Sequence, residues 1–196
     1  FLSHSMERVG SAYLNNETTL VSLGGIAREA LEQTEVDYFI GAVGNGSSVL
    51  GAARVFGDAA RLISFESFQS AVVYDKMHPG DYEAQYGIKP GSLPKHKLRG
   101  TSFHGIDFPH INTLVQEGRI DEARLLSDTQ VDRNYAAATG RHDTEELIHW
   151  DRVFKGHEDL GRTGRAGIAV ALDLAERVEG KNILIVAYDK ANRYDY

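Results

Sequence analysis

Cysteine is absent from this 196-residue chain, which excludes a disulfide scaffold, a thiolate metal site and a cysteine nucleophile. No apolar stretch approaches the 18 residues a spanning helix needs, and no basic region followed by an apolar run opens the chain as a signal peptide would. Basic charge is in short supply. Lys and Arg number 21 against 28 Asp and Glu, a net charge of −7, and no basic run occurs. That balance argues against nucleic acid or an anionic membrane as the main partner. Proline is scarce too, with 4 in all, and Pro79, Pro90 and Pro94 crowd into one stretch that reads as a long loop, Met77 to Lys97.

What is present is ordinary globular composition, 42% apolar and 25% charged, in a chain long enough for one domain spanning residues 1–196. Glycine is enriched, at 20 positions, and points to several tight turns. Helical patterning is read over Thr18 to Gln33, Val49 to Phe56, Ser67 to Tyr74, Pro109 to Gln116, Glu145 to Phe154, and from Thr163 or Gly164 onward. Short apolar runs at Asp37 to Val43, Leu62 to Phe65, Ala123 to Ser127 and Asn182 to Ala187 read as strands, the last too apolar to be exposed on either face. Asp128 or Thr129 is expected to cap the helix after the third strand. Strands that alternate with helices need crossover connections. The expected fold is therefore α/β, three layers with a mostly parallel sheet between helices.

Between the first strand and its helix lies Gly44-Asn45-Gly46-Ser47-Ser48. Ligands bind at the carboxyl ends of strands in such sheets. Glycines let the backbone approach a ligand closely, the N–H groups of the turn and first helical turn converge, and Ser47 and Ser48 add hydroxyl donors. Together these suit a phosphate dianion held by dipoles, since the turn contains no Lys or Arg. The same five residues also serve as a plain tight strand–helix connection. They match neither the dinucleotide fingerprint, whose third glycine is missing at the right offset, nor a P-loop, since no Gly-Lys-Ser/Thr follows.

The run Tyr38 to Gly51, centred on that turn, resembles the strand, phosphate cup and helix of fold-type II pyridoxal-phosphate enzymes, the cysteine synthase and tryptophan synthase β group. Their cup reads Gly-Thr-Gly-Gly-Thr in cysteine synthases. Phe65-Glu66-Ser67 resembles the family's Val-Glu-Pro strand end, and Leu98-Arg99-Gly100 precedes a loop like the one lining the cofactor. Leu160 to Gly167 is similar to its Gly-Ile-Ser-Ser-Gly-Ala-Ala helix start. Gly180 to Asp189 with Arg193-Tyr194 is similar to its terminal strand and Pro-Asp-Ser-Gly-Glu-Arg-Tyr motif. The landmarks fall in family order.

The resemblance implies pyridoxal 5′-phosphate as cofactor and β-elimination or β-replacement on a small amino acid such as serine, in a cytoplasmic homodimer. Gly44, Asn45, Gly46, Ser47 and Ser48 would clamp the 5′-phosphate, with Gly100, Thr101 and Ser102 near the bound ligand. Lys190 falls where cysteine synthases place the serine that bonds the pyridine nitrogen; its other reading is a lysine directed to solvent at a strand end. The family's Schiff-base lysine and carboxylate-gripping loop precede the cup by more residues than this chain supplies. None of Lys76, Lys89, Lys95, Lys97, Lys155, Lys181 or Lys190 matches that lysine. The expectation is a carboxyl-terminal part of such an enzyme, poorly soluble alone, or a relic that binds a phosphorylated ligand without turnover.

Other constellations carry less. His142, Glu146 and His149 share one face of the predicted helix, yet lack the His-Glu-x-x-His spacing of zinc proteases and read as a solvated face. Ser102, His104, Asp107 and His110 invite a hydrolase triad, but no Gly-x-Ser-x-Gly elbow presents the serine. Tyr188, Tyr194 and Tyr196 read as packing residues. Arg162 and Arg165, unfavourable at a helix start without an anion, read as surface positions.

Overall fold

Tyr38–Ala42 (β1) and Arg61–Ser67 (β2) pair in parallel, Phe39 beside Leu62 and Ala42 beside Phe65, in the computed structural model. It describes residues 16–102, 104–106, 108–131 and 160–188. Glu122–Leu126 (β3) adds to the far side of β2, and Ile183–Ile185 (β4) adds to the free side of β1. Among the described residues the sheet has 4 strands, all parallel, in the order β3-β2-β1-β4. From β1 the chain steps outward to β2 and β3, then returns to β1's other edge. Strand order reverses there, and beyond the carboxyl ends of β1 and β4 such sheets open a crevice.

Alternation along β1 sorts its side chains into two cores. Phe39 and Val43 pack with Leu62, Val49, Leu50, Phe56, Ile111 and Leu114 on one face; Ile40 and Ala42 pack with Ile63, Phe65, Ala166, Val170 and Leu174 on the other. Fully burying each large side chain contributes about 1.5–3 kcal/mol, so both faces hold the sheet. The three-layer α/β expectation is met. The first face is covered by Glu17–Leu23 (α1), Gly25–Leu31 (α2), Ser47–Phe56 (α3), Val72–Met77 (α4) and Pro109–Gln116 (α6); the second by Arg162–Ala175 (α7).

Five readings need correction. The helix expected over Thr18 to Gln33 is two, α1 and α2, divided at Gly24. The glycines there serve a helix crossing: a Cβ on Gly51 of α3 would lie 2.6 Å from the Leu20 carbonyl, and one on Gly24 would lie 2.9 Å from the Gly51 carbonyl. The helix expected from Ser67 starts instead at Val72, because β2 continues through Ser67 and the buried Glu66 carboxylate takes the Val72, Val73 and Tyr74 N–H groups at 2.7–2.8 Å.

The loop expected over Met77 to Lys97 contains a helix, Asp81–Tyr86 (α5), bounded by left-handed Gly80 and Gly87. Tyr82 pins it, fully buried against Phe68 with its hydroxyl donating to the Phe68 carbonyl at 2.8 Å. After β3 the cap is Ser127, whose Oγ accepts the Gln130 N–H at 3.0 Å; the Asp128 carboxylate instead accepts the Lys97 N–H at 2.9 Å.

β1 to β3, α3, α6 and α7 fall within a residue or three of their expected positions. β4 is half-buried rather than enclosed, since β1 is its one partner among the described residues. The helix expected over Glu145 to Phe154 lies outside the described residues. No helix among them is long and apolar enough to cross a membrane.

Candidate functional site

The glycine-rich turn stands at the switch point. Val43 ends the ladder: its N–H donates to the Phe65 carbonyl at 3.1 Å, while its carbonyl accepts the N–H of Ser102, outside the sheet, at 2.8 Å. The chain then turns through Gly44, Asn45 and Gly46 into α3. Gly46 has φ +88°, a left-handed conformation that disfavours any Cβ, and a Cβ would also lie 2.9 Å from the Ile111 nitrogen. At Gly44 a Cβ would lie 2.9 Å from the Gly100 carbonyl. Both glycines are therefore needed to bring segment 98–102 and the start of α6 against the turn.

The first-turn N–H groups of a helix have no partner within it. Here the Asn45 Oδ1 accepts the Ser47 N–H at 3.0 Å, so this amide already takes an oxygen of the kind a phosphate presents. The Ser47 hydroxyl is committed elsewhere: it is buried, 3.0 Å from His110 Nδ1. Burial first, with help from Arg54, lowers the His110 pKa below its ordinary range and keeps the ring neutral. Ser48 is half-buried.

Tyr188 was not legible as a site residue. It stands just past β4, where the β1–β4 ladder has ended, and its hydroxyl accepts the Ala42 N–H at 2.8 Å in place of a strand carbonyl. Burial pushes its pKa up to about 12, against the opposing pull of the Ala42 and Ser48 hydrogen bonds, so the phenol is protonated at any ordinary pH. The start of α7 closes the same end: Thr163 Oγ1 accepts the Gly100 N–H at 3.2 Å. Arg162 and Arg165 spend donors on carbonyls, those of Asp128 at 3.3 Å and Leu160 at 2.9 Å.

The hydrolase grouping is not assembled. His110 meets Ser47, while the Ser102 Oγ is buried with no protein partner among the described residues. Asp107, Lys190, His142, Glu146 and His149 lie outside those residues. Among them no cluster of three His, Asp or Glu side chains could hold a metal ion. A separate cleft of about 230 Å³ lies between β3 and α7, lined by Arg124, Gln130 and Asp173; the Arg124 guanidinium is bound to Asp173 and, at 2.7 Å, to Glu122.

No family model and no curated protein matches the sequence. Solved structures do. A cysteine synthase from Entamoeba histolytica superposes with TM-score 0.64 at 22% identity, covering 92% of this chain and 46% of that one. Threonine deaminase isoform 2 from Solanum lycopersicum, in its processed form, gives 0.61 at 15%, covering 89% and 46%. A mutant O-ureido-L-serine synthase with O-ureido-L-serine bound gives 0.60 at 17%, covering 92% and 48%. At these identities the likeness establishes the fold: an all-parallel α/β domain matching the large domain of fold-type II enzymes. The chain spans about half the length of the structures it matches.

Proposed function

We propose that this chain forms part of a pyridoxal-phosphate enzyme of fold type II that carries out β-elimination or β-replacement on serine or an activated serine. One observation carries the reading: a glycine-built turn stands at the switch point of a sheet that superposes on a cysteine synthase.

The residues present fit the coenzyme's phosphate. Gly44 and Gly46 contribute no side chain, the Ser47 N–H already donates to an oxygen, and the half-buried Ser48 offers a hydroxyl. Asn45 would swing its Oδ1 off the Ser47 N–H when phosphate takes that amide. A dianion at the N-terminus of α3 is stabilised by the helix dipole, a contribution of about 0.3–2 kcal/mol. Ser47 contributes its main chain, its hydroxyl being held by His110. When bound, the coenzyme supplies an electron sink for the substrate's Cα. Lys190 would lie beside the ring nitrogen, where an ammonium donor disfavours ring protonation and so favours β-chemistry; its position rests on the sequence resemblance alone.

The alternative is a module that binds phosphorylated ligands without turnover. The two are separated by incubating the intact protein with pyridoxal phosphate and serine or O-acetylserine. Pyruvate release, or a β-substituted product when a thiol is added, supports the enzyme. Binding of the coenzyme with neither product supports the module, and no binding overturns both.

A further inference from the structure

We propose that His110 is a pH-dependent counter-charge for the phosphate turn: by taking up a proton in the seam between α3 and α6, its imidazole tightens the hold of the Gly44–Ser48 amides on a dianion. The inference rests on the functional reading above and deepens it, adding regulation to the same site.

The turn contains no Lys or Arg, so at neutral pH it holds an anion by dipoles alone. His110 stands against it from α6. Its Nδ1 lies 3.0 Å from the Ser47 Oγ, and a Cβ on Gly46 would lie 3.2 Å from the His110 Cβ. The bare backbone of the glycine thus rests on the base of the histidine. The hydroxyl that meets the ring and the amide that takes an oxygen both belong to Ser47. An oxyanion on that amide therefore sits within about 10 Å of the ring, roughly one Debye length at 0.1 M salt. Ser47 and His110 are both buried, and charges near them act through less water than surface charges do.

Burial keeps the ring neutral at ordinary pH. Among the described residues, Arg54 of α3 opposes its protonation and Glu17 of α1 favours it, and these two are themselves paired at 2.7 Å. α6 carries no other titratable side chain. α4 also packs against α6, but its Asp75 and Lys76 do not act on the ring. Such a group adds no charge to the turn near neutrality and one positive charge in mild acid. The coupling is reciprocal: the factor by which protonation raises anion affinity is the factor by which a bound anion raises proton affinity.

The test uses inorganic sulfate, which stays a dianion from about pH 5 to about pH 8, titrated calorimetrically into the intact protein. Wild type is expected to bind it about tenfold more tightly at about pH 5 than at about pH 7.5, and His110→Asn less than about twofold more tightly. Saturating sulfate is also expected to raise the midpoint of the His110 imidazole signal in 1H–13C spectra by about one pH unit, the same tenfold factor. A merely structural histidine would change the melting temperature on substitution and leave the midpoint and the pH profile of sulfate affinity unmoved. That result overturns the inference while the functional reading stands. Acid tightening that survives in His110→Asn overturns it likewise, since other histidines then carry the effect. If the wild-type protein binds no sulfate at either pH, the functional reading fails and takes the inference with it. Should His110→Asn not fold, Arg54→Gln removes a charge that opposes protonation, and must raise the imidazole midpoint and the pH at which sulfate binding tightens together. A binding profile left in place overturns the inference.

Discussion

Ser47 Oγ and His110 Nδ1 lie 3.0 Å apart in the buried seam between α3 and α6. The contact anchors the first residue of α3 to the helix beneath it and so fixes the direction in which the glycine-rich turn opens. It also decides the serine's role, for a hydroxyl held there is turned away from any ligand in the turn.

Removing the Ser47 hydroxyl takes away this buried hydrogen bond, a loss of about 1–3 kcal/mol. Ser47→Ala is expected to lower stability by that amount in urea unfolding, with phosphate affinity changed less than twofold. The His110 pKa is depressed in the folded protein, so its contribution is present above about pH 6.5 and lost as the pH falls below it. His110→Asn should flatten that acid-side loss. A variant that unfolds along the wild-type pH curve would show that His110 is not a buried neutral group.

Glu66 has the opposite dependence. Burial raises its carboxyl from 4.5 to about 7, even though three backbone N–H groups favour the charged form. A folded-state value above the unfolded one stabilises through the proton: the contribution is full below about pH 4.5 and is lost as pH rises through about 7. The difference amounts to about 3 kcal/mol for such a shift. Glu66→Gln, which does not titrate, should remove that part of the slope between pH 4.5 and 8. An unchanged slope would mean the three N–H donors outweigh desolvation.

Gly46 and Gly57 both have positive φ, +88° and +55°, but a Cβ at Gly57 meets nothing within 4 Å whereas one at Gly46 meets the Ile111 nitrogen at 2.9 Å. Gly57→Ala carries conformational strain alone, about 1–3 kcal/mol at its φ and ψ. Gly46→Ala adds a backbone clash beside the turn and is expected to lose about 3 kcal/mol or more, with phosphate binding lost as well. Equal losses in the two variants would mean that the turn yields easily and is not held in shape by α6.

The parts of the fold that were legible are those set by local pattern. Phe39-Ile40 and Leu62-Ile63 stand in short apolar runs bounded by turn residues, and Pro109 opens α6 where its fixed φ suits a first helical position. Misread elements owe their limits to contacts distant in sequence or to buried polar groups. α5 is amphipathic over too few residues to show a period, and its stability comes from Tyr82 under Phe68. α4 begins where Glu66 places its carboxylate, which no local propensity encodes.

At the site the turn could be read, because glycines with serines after a buried strand leave a signature. Its neighbours could not. Tyr188 reaches Ala42 across 146 positions and His110 reaches Ser47 across 63, and a single sequence carries no record of such pairs. Lys190 has a place only through resemblance.

The central claim is that the amides of Gly44 to Ser48 receive the phosphate of pyridoxal 5′-phosphate. Amide 1H–15N spectra of the intact protein, titrated with that coenzyme and separately with inorganic phosphate, test it residue by residue. Saturable shifts are expected at Asn45, Gly46, Ser47 and Ser48 with both ligands, the Ser47 amide moving most as Asn45 gives way. Shifts confined to other surfaces, such as the Arg124 cleft, or none in the turn at saturating coenzyme, would contradict the claim.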